Sequence, residues 1–234
     1  MQQFITADNL MLVARLLAFL IAIPFHELAH AFVSDKLGDH TARDMGRLTL
    51  NPLKHIDPWG LLAMLTIGVG WAKPVPVNPN FYKNRKWGMA ITALAGPVAN
   101  LLLALVTVVL HKVFLYLCVA AIGMSWPLWA SVVSILLQAF AGINVTLALF
   151  NLIPIPPLDG SRILGLVLPE KWYFAIQRYE RYILVVLLAA LFLLPRLTGF
   201  SPLNWLLGGA TDAVTHALDV ITRFIDWIFL RILT

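Results

Sequence analysis

The feature that most constrains this chain is its succession of long apolar runs. They extend from about Asn9 to Val33, Trp87 to Leu117, Leu128 to Ile153 and Tyr182 to Leu194. A helix that crosses a bilayer needs about 20 mostly apolar residues. The last run meets that length by starting earlier or by tilting. Of the 234 residues, 60% are hydrophobic and 12% charged, whereas a soluble domain carries about a quarter charged. So little polar surface cannot clothe a core of this size in water, and the excess apolar surface takes lipid as its solvent. The expected fold is an all-α membrane protein. It is a polytopic helical bundle of about five to six transmembrane helices with a short re-entrant, extended β-like segment. Nothing basic precedes the run Leu10–Ile23 and no small-residue cleavage site follows it. It is therefore read as a retained helix rather than a signal peptide.

Two stretches depart from the spanning pattern. Pro58 to Val69 is apolar but only about twelve residues long, too short to span, and reads as a re-entrant segment packed against protein. Trp71 to Pro79 alternates proline with valine. Proline removes ladder donors, so this is an extended edge segment rather than a central strand. The basic residues then fix orientation. Lys36, Arg43, Arg47 and Lys54 precede the short run, and Lys73, Lys83, Arg85 and Lys86 follow it. Both loops are positive and belong in the cytoplasm, which requires Pro58–Val69 to enter and return. The uncharged loop 118–127 is then outside, and the segment with Arg162, Lys171, Arg178 and Arg181 is inside. The N-terminus is outside, and the expected location is the plasma membrane.

The net charge of +5 is spent on these loops. No basic stripe with interleaved aromatics is present, which excludes nucleic acid as a partner class. Cys118 is the only cysteine, so there is no intrachain disulfide and no cysteine-based zinc site. In Leu203–Leu233, Asp212, His216, Asp219, Arg223 and Asp226 recur at steps of four, three, four and three. They share an arc of roughly 80° on one helix face. This stretch either lies in the interface with its charges in water or spans with its polar face turned to a cavity or partner. The expected division is a core at 1–200 and a C-terminal amphipathic or transmembrane helix at 201–234.

The first run contains His26-Glu27-Leu28-Ala29-His30, an H-E-x-x-H pattern. Residues four apart lie on one helix face, so two imidazoles can meet one ion. The glutamate beside the first ligand can take the proton of a water that the ion has acidified. A glutamate and two histidines inside an apolar helix are costly unless they pair or bind something. Zinc needs a third protein ligand and an open position. Asp159 follows the fourth run in Asn151-Leu-Ile-Pro-Ile-Pro-Pro-Leu-Asp159-Gly160, and the orientation above puts it on the same side as His30. By itself it also reads as a turn residue capping a helix start, and His40, His55 and Asp57 are rival ligands.

These residues together resemble the site-2 protease family of intramembrane metalloproteases. Ala95-Gly96-Pro97-Val98-Ala99-Asn100 and Gly70-Trp71-Ala72-Lys73-Pro74-Val75-Pro76-Val77-Asn78-Pro79 match as well, as in its short bacterial and archaeal members. The resemblance covers about Ile21 to Leu164. It implies one zinc ion held by His26, His30 and Asp159, with Glu27 as general base. It also implies that Asn151 hydrogen-bonds the substrate or the developing oxyanion. Bare residue chemistry leaves Asn151 as a helix-end cap. Gly96, Pro97 and Asn100 would be helix-packing residues, and Trp71–Pro79 would lie along an unwound substrate. The inserted PDZ-type domain and the CBS pair of some members have no room here.

The implied function is hydrolysis of peptide bonds within or near transmembrane segments of membrane-protein substrates, with the lipid bilayer as second partner and the oligomeric state undetermined. The alternatives are a metal-binding transporter, since intramembrane His and Asp also serve ion pathways, and an inactive membrane adaptor. Glu27 separates them: a transporter tolerates glutamine there and a protease does not.

Overall fold

The computed structural model describes residues 6–67, 70–123 and 126–233. Gly68 and Val69, the end of the short apolar run, lie outside the described residues, as do Met124 and Ser125 of the uncharged loop. Helix α1 (Ala7–Lys36) starts where the Thr6 side chain accepts the Asn9 amide, and widens to a π-helical stretch at Ala18–Ala22. There Ala18 and Ala22 pack on Phe140. A π stretch re-phases the helix that follows it, and here it sets the face on which His26 and His30 lie.

After the single turns Thr41–Asp44 and Pro52–His55 comes α2 (Pro58–Ile67). Its ten residues reach about 15 Å, half of an apolar bilayer core of about 30 Å. The chain returns beside its own start. Ile56 and Ala72 form an antiparallel bridge, and the Lys73 amide donates to the His55 carbonyl at 2.8 Å. A Cβ on Gly60 would lie 2.0 Å from the Trp71 carbonyl oxygen, so glycine is what lets helix and return segment close up. The β-like expectation reduces to that one bridge, with no strand among the described residues. Pro74 and Pro76, which lack N–H groups, are the physical reason.

Helix α3 (Arg85–Ile122) and helix α4 (Leu128–Asn151) form the main antiparallel pair, with α1 packed on both. The run expected to end at Leu117 continues to Ile122, and the one expected to reach Ile153 stops at Asn151. Short helices α5 (Gly160–Leu164) and α6 (Glu170–Arg178) lead to α7 (Glu180–Thr198). Among the described residues four helices, α1, α3, α4 and α7, are long and apolar enough to cross a membrane. The chain is an all-α, multi-pass membrane protein, with four such helices among the described residues where about five to six were expected.

That stretch is two helices, α8 (Pro202–Ile221) and α9 (Arg223–Leu233). At the break the Thr222 hydroxyl donates to the Leu218 and Asp219 carbonyls, which competes with the backbone ladder. Leu218 packs with Ala104 and Val145. The acidic face does not simply face water: Lys112 of α3 pairs with Asp219 at 2.8 Å and Asp226 at 2.7 Å, and Tyr116 donates to Asp226 at 3.0 Å.

Candidate metal centre

His26 and His30 are buried, one turn apart on α1, and face α3. Their outer ring nitrogens are held by α3. His30 donates Nδ1–H to the Thr92 carbonyl at 2.7 Å, and His26 donates Nδ1–H to Asn100 Oδ1 at 3.0 Å. A carbonyl oxygen can only accept, so these bonds leave Nε2 of both rings as bare lone pairs. The two Nε2 atoms are 3.0 Å apart. Asp159 Oδ2 lies 3.2 Å from one and 3.3 Å from the other, and this buried oxygen has no hydrogen-bond partner. Three lone-pair atoms so close repel one another unless a cation sits among them. Tetrahedral ligands at about 2.0–2.1 Å from an ion are roughly 3.3 Å apart, so the donor set fits a zinc-sized ion. Among the described residues this is the one His, Cys, Asp and Glu cluster arranged to hold a metal.

Two glycines make the cluster attainable. A Cβ on Gly96 of α3 would stand 2.5 Å from Nε2 of both histidines, inside the space the ion would use. A Cβ on Gly160 would stand 2.2 Å from the Leu152 carbonyl. The chain after α4 therefore folds back tightly enough to bring Asp159 under α1. Asp159 takes the N-cap position of α5 but makes no capping bond, so its carboxylate is free to turn toward the histidines. The rivals are engaged elsewhere. His40 pairs with Asp35 at 2.8 Å, His55 Nε2 bonds the Thr49 carbonyl at 2.8 Å, and Asp57 accepts the Gly60 amide at 2.9 Å.

Glu27 accepts the Val75 amide on Oε2 at 2.9 Å. The return segment is thereby tied to the turn that carries the two histidines. A second chain of bonds holds its far end. Asp39 accepts the Asn78 amide and the Ser34 hydroxyl, Ser34 also meets Tyr82, and Tyr82 meets Thr92. Asn151 donates one amide N–H to the Leu147 carbonyl at 3.0 Å, and its second N–H has no acceptor among the described residues.

Two cavities meet at this cluster. One, of about 420 Å³, is walled by apolar side chains that include Phe150, Leu184, Leu188 and Leu191. The other, of about 530 Å³, is bordered by Asp159, Arg162 and Glu180. His26, Glu27 and Asn151 line both. Asn100 and Thr92 are the functional residues that sequence reasoning missed. For Asn100 the signal is the Ala95–Asn100 motif, which reads as helix packing, and Thr92 lies outside any motif; their bonds join residues 74 and 62 positions apart.

The profile of Peptidase family M50 matches residues 14–194. The chain is 39% identical over 180 residues to YwhC of Bacillus subtilis (strain 168), whose name calls it a zinc metalloprotease; this covers 76% of the chain and 80% of that protein. It is 32% identical over 216 residues to Rip2 of Mycobacterium tuberculosis (strain ATCC 25618 / H37Rv), named in the same way, covering 88% of the chain and 78% of that protein. No solved structure matches. The profile runs from within α1 to within α7 and takes in the return segment and the His–His–Asp cluster, and the chain belongs to peptidase family M50: it is a metalloprotease built into a membrane.

Proposed function

We propose that the chain hydrolyses peptide bonds within or at the edge of transmembrane segments of membrane-protein substrates, with one zinc ion held by His26, His30 and Asp159. The observation that carries this is the convergence of three lone-pair atoms within 3.3 Å of one another where an apolar and a polar cavity meet. A substrate helix needs apolar walls and the second reactant, water, needs polar ones. Bound there, zinc polarises a carbonyl and brings the pKa of a water molecule toward neutrality. Glu27 takes the proton from that water as it attacks and passes it to the departing amine. Asn151 donates its unused amide N–H to the developing oxyanion, without a change of its own charge. Thr92 and Asn100 hold the imidazoles in the tautomer that presents Nε2.

The extended segment through Val75 and Val77 guides the unwound substrate by adding it as a neighbouring strand. The basic loops favour a plasma-membrane protein with its N-terminus outside and its catalytic cluster toward the cytoplasm. Residues 1–200 form the protease core and 201–234 an accessory C-terminal element.

The test is metal analysis combined with cleavage of a reporter transmembrane helix by the native chain, Glu27→Gln and Asp159→Ala. Glu27→Gln keeps its zinc and loses about 10²–10⁴ in rate. Asp159→Ala loses zinc, and full metal content in that variant would remove Asp159 from the ligand set. Val75→Pro with Val77→Pro abolishes cleavage and leaves zinc bound; unchanged cleavage rules out strand addition.

A further inference from the structure

Arg47 and His55 are buried, His55 completely, in the stretch that leads into α2. The Asn51 side chain caps the turn Pro52–His55 by accepting the Leu53 amide at 3.0 Å. From that turn His55 donates Nε2–H to the Thr49 carbonyl at 2.8 Å, which leaves Nδ1 as the lone pair of the ring. Nη2 of Arg47 lies 3.5 Å from that Nδ1, and the same Nη2 donates to the Lys73 carbonyl. A guanidinium only donates, so one nitrogen joins the ring to the return segment. Among the described residues no carboxylate pairs with Arg47, and its Nε has no hydrogen-bond partner. A buried cation without a counter-ion is costly for a mere spacer. What the charge adds is a stronger grip on the Lys73 carbonyl.

That grip reaches the catalytic cluster through a stiff stretch of backbone. The Lys73 amide donates to the His55 carbonyl at 2.8 Å, so both backbone groups of Lys73 are held by the 47–55 stretch. The peptide plane between Lys73 and Pro74 has little freedom left. The proline ring locks the next φ. Only ψ of Pro74 separates that plane from the Val75 N–H, which holds Glu27 Oε2 at 2.9 Å. The other anchor of the return segment, Asp39 on the Asn78 amide at 2.7 Å, is a separate contact.

We propose that Arg47 and His55 are positioning residues for the hydrolysis. His55 orients the Arg47 guanidinium, and Arg47 holds the Lys73 carbonyl so that the Val75 amide presents the Glu27 carboxylate to the attacking water. Both act through the backbone at 73–75. The inference rests on the function proposed above, in which Glu27 is the base.

The test uses the full zinc-loaded chain in phosphatidylcholine vesicles. It compares the native protein with Arg47→Met, Arg47→Lys, His55→Leu and His55→Gln. Arg47→Met removes a buried charge and keeps the apolar stem, a change that folded cores tolerate. Zinc content checks the fold, hydrogen exchange reads the Val75 and Asn78 amides, and a reporter helix gives kcat and KM. Arg47→Met and His55→Leu are expected to keep zinc and to expose the Val75 amide while Asn78 stays protected. They lose about 10–100-fold in kcat, with KM far less affected, because Glu27 acts in the chemical step. Arg47→Lys returns a donor to the Lys73 carbonyl, and His55→Gln returns an acceptor to Arg47, so each recovers much of the rate. A protected Val75 amide or a native kcat in Arg47→Met overturns the proposal. So does an equal loss in Arg47→Met and Arg47→Lys, or a rise in KM with kcat kept. Loss of zinc in Arg47→Met overturns it in favour of a purely structural role. If the native chain itself cleaves no reporter, the proposed activity fails, whereas exchange at Val75 still decides whether Arg47 and His55 hold the segment.

Discussion

Gly96 has no side chain, and the cluster depends on that. A methyl group there would stand 2.5 Å from both histidine Nε2 atoms, so Gly96→Ala is expected to lower zinc affinity by tenfold or more, about the scale of a lost supporting contact, with helix content unchanged by circular dichroism. Asn100→Ala removes the acceptor that fixes the His26 tautomer and is expected to cost about 10–100-fold in zinc affinity by competition titration. Asn100→Asp retains an acceptor and recovers most of it. At this scale the sequence was legible where chemistry is local. The spacing of His26, Glu27 and His30 needs only one helical turn. Asp159 was legible only with the topology, and Asn100 hardly at all, because an asparagine in an apolar helix does not announce which distant ring it will meet.

At the scale of elements, the return segment is held by polar bonds rather than by its own ladder. Burial alone would raise the Asp39 carboxyl, but hydrogen bonds from Thr41, the Asn78 amide and Ser34 outweigh it and hold the group below its ordinary value of 3.8. The stability gained this way is complete above that ordinary value and is lost as the pH falls through the lower folded value. Hydrogen exchange across residues 75–82 is therefore expected to speed up in that acid window, and Asp39→Asn should reproduce the effect at neutral pH. The C-terminal pair depends on one cation in the same way. Lys112→Ala removes the shared cation of Asp219 and Asp226 and leaves Asp226 with only its bond from Tyr116 among those described. It is expected to loosen α8 and α9 by about 1–2 kcal/mol, a modest figure because both carboxylates are partly exposed. Limited proteolysis would register the loosening while zinc content stays unchanged. The acidic stripe was legible as a periodicity, but its partner was hidden as a lone lysine inside an apolar run. The break at Thr222 was not legible either, since a single hydroxyl barely disturbs the helical pattern.

For the whole molecule, the apolar runs made the helical bundle legible, and the shortness of Pro58–Val69 made its return legible. The split of the site between an apolar and a polar cavity was not, because it arises from helices far apart in sequence. Chelation is expected to lower the unfolding temperature in detergent and zinc to restore it, since an ion bound only by the folded state stabilises it by about 2.7 kcal/mol at a hundredfold excess over its Kd. Calorimetry with and without a chelator measures this, and an unchanged transition would mean that the three converging lone pairs tolerate one another without an ion. The bond from the Val75 amide to Glu27 has a consequence at this same scale. If that backbone guides the substrate as proposed, it also aims the carboxylate that is to deprotonate the attacking water, so a chain lodged out of register pulls the base out of line as it settles. Proofreading of that kind needs no separate sensor, because a misplaced guest disarms its own host.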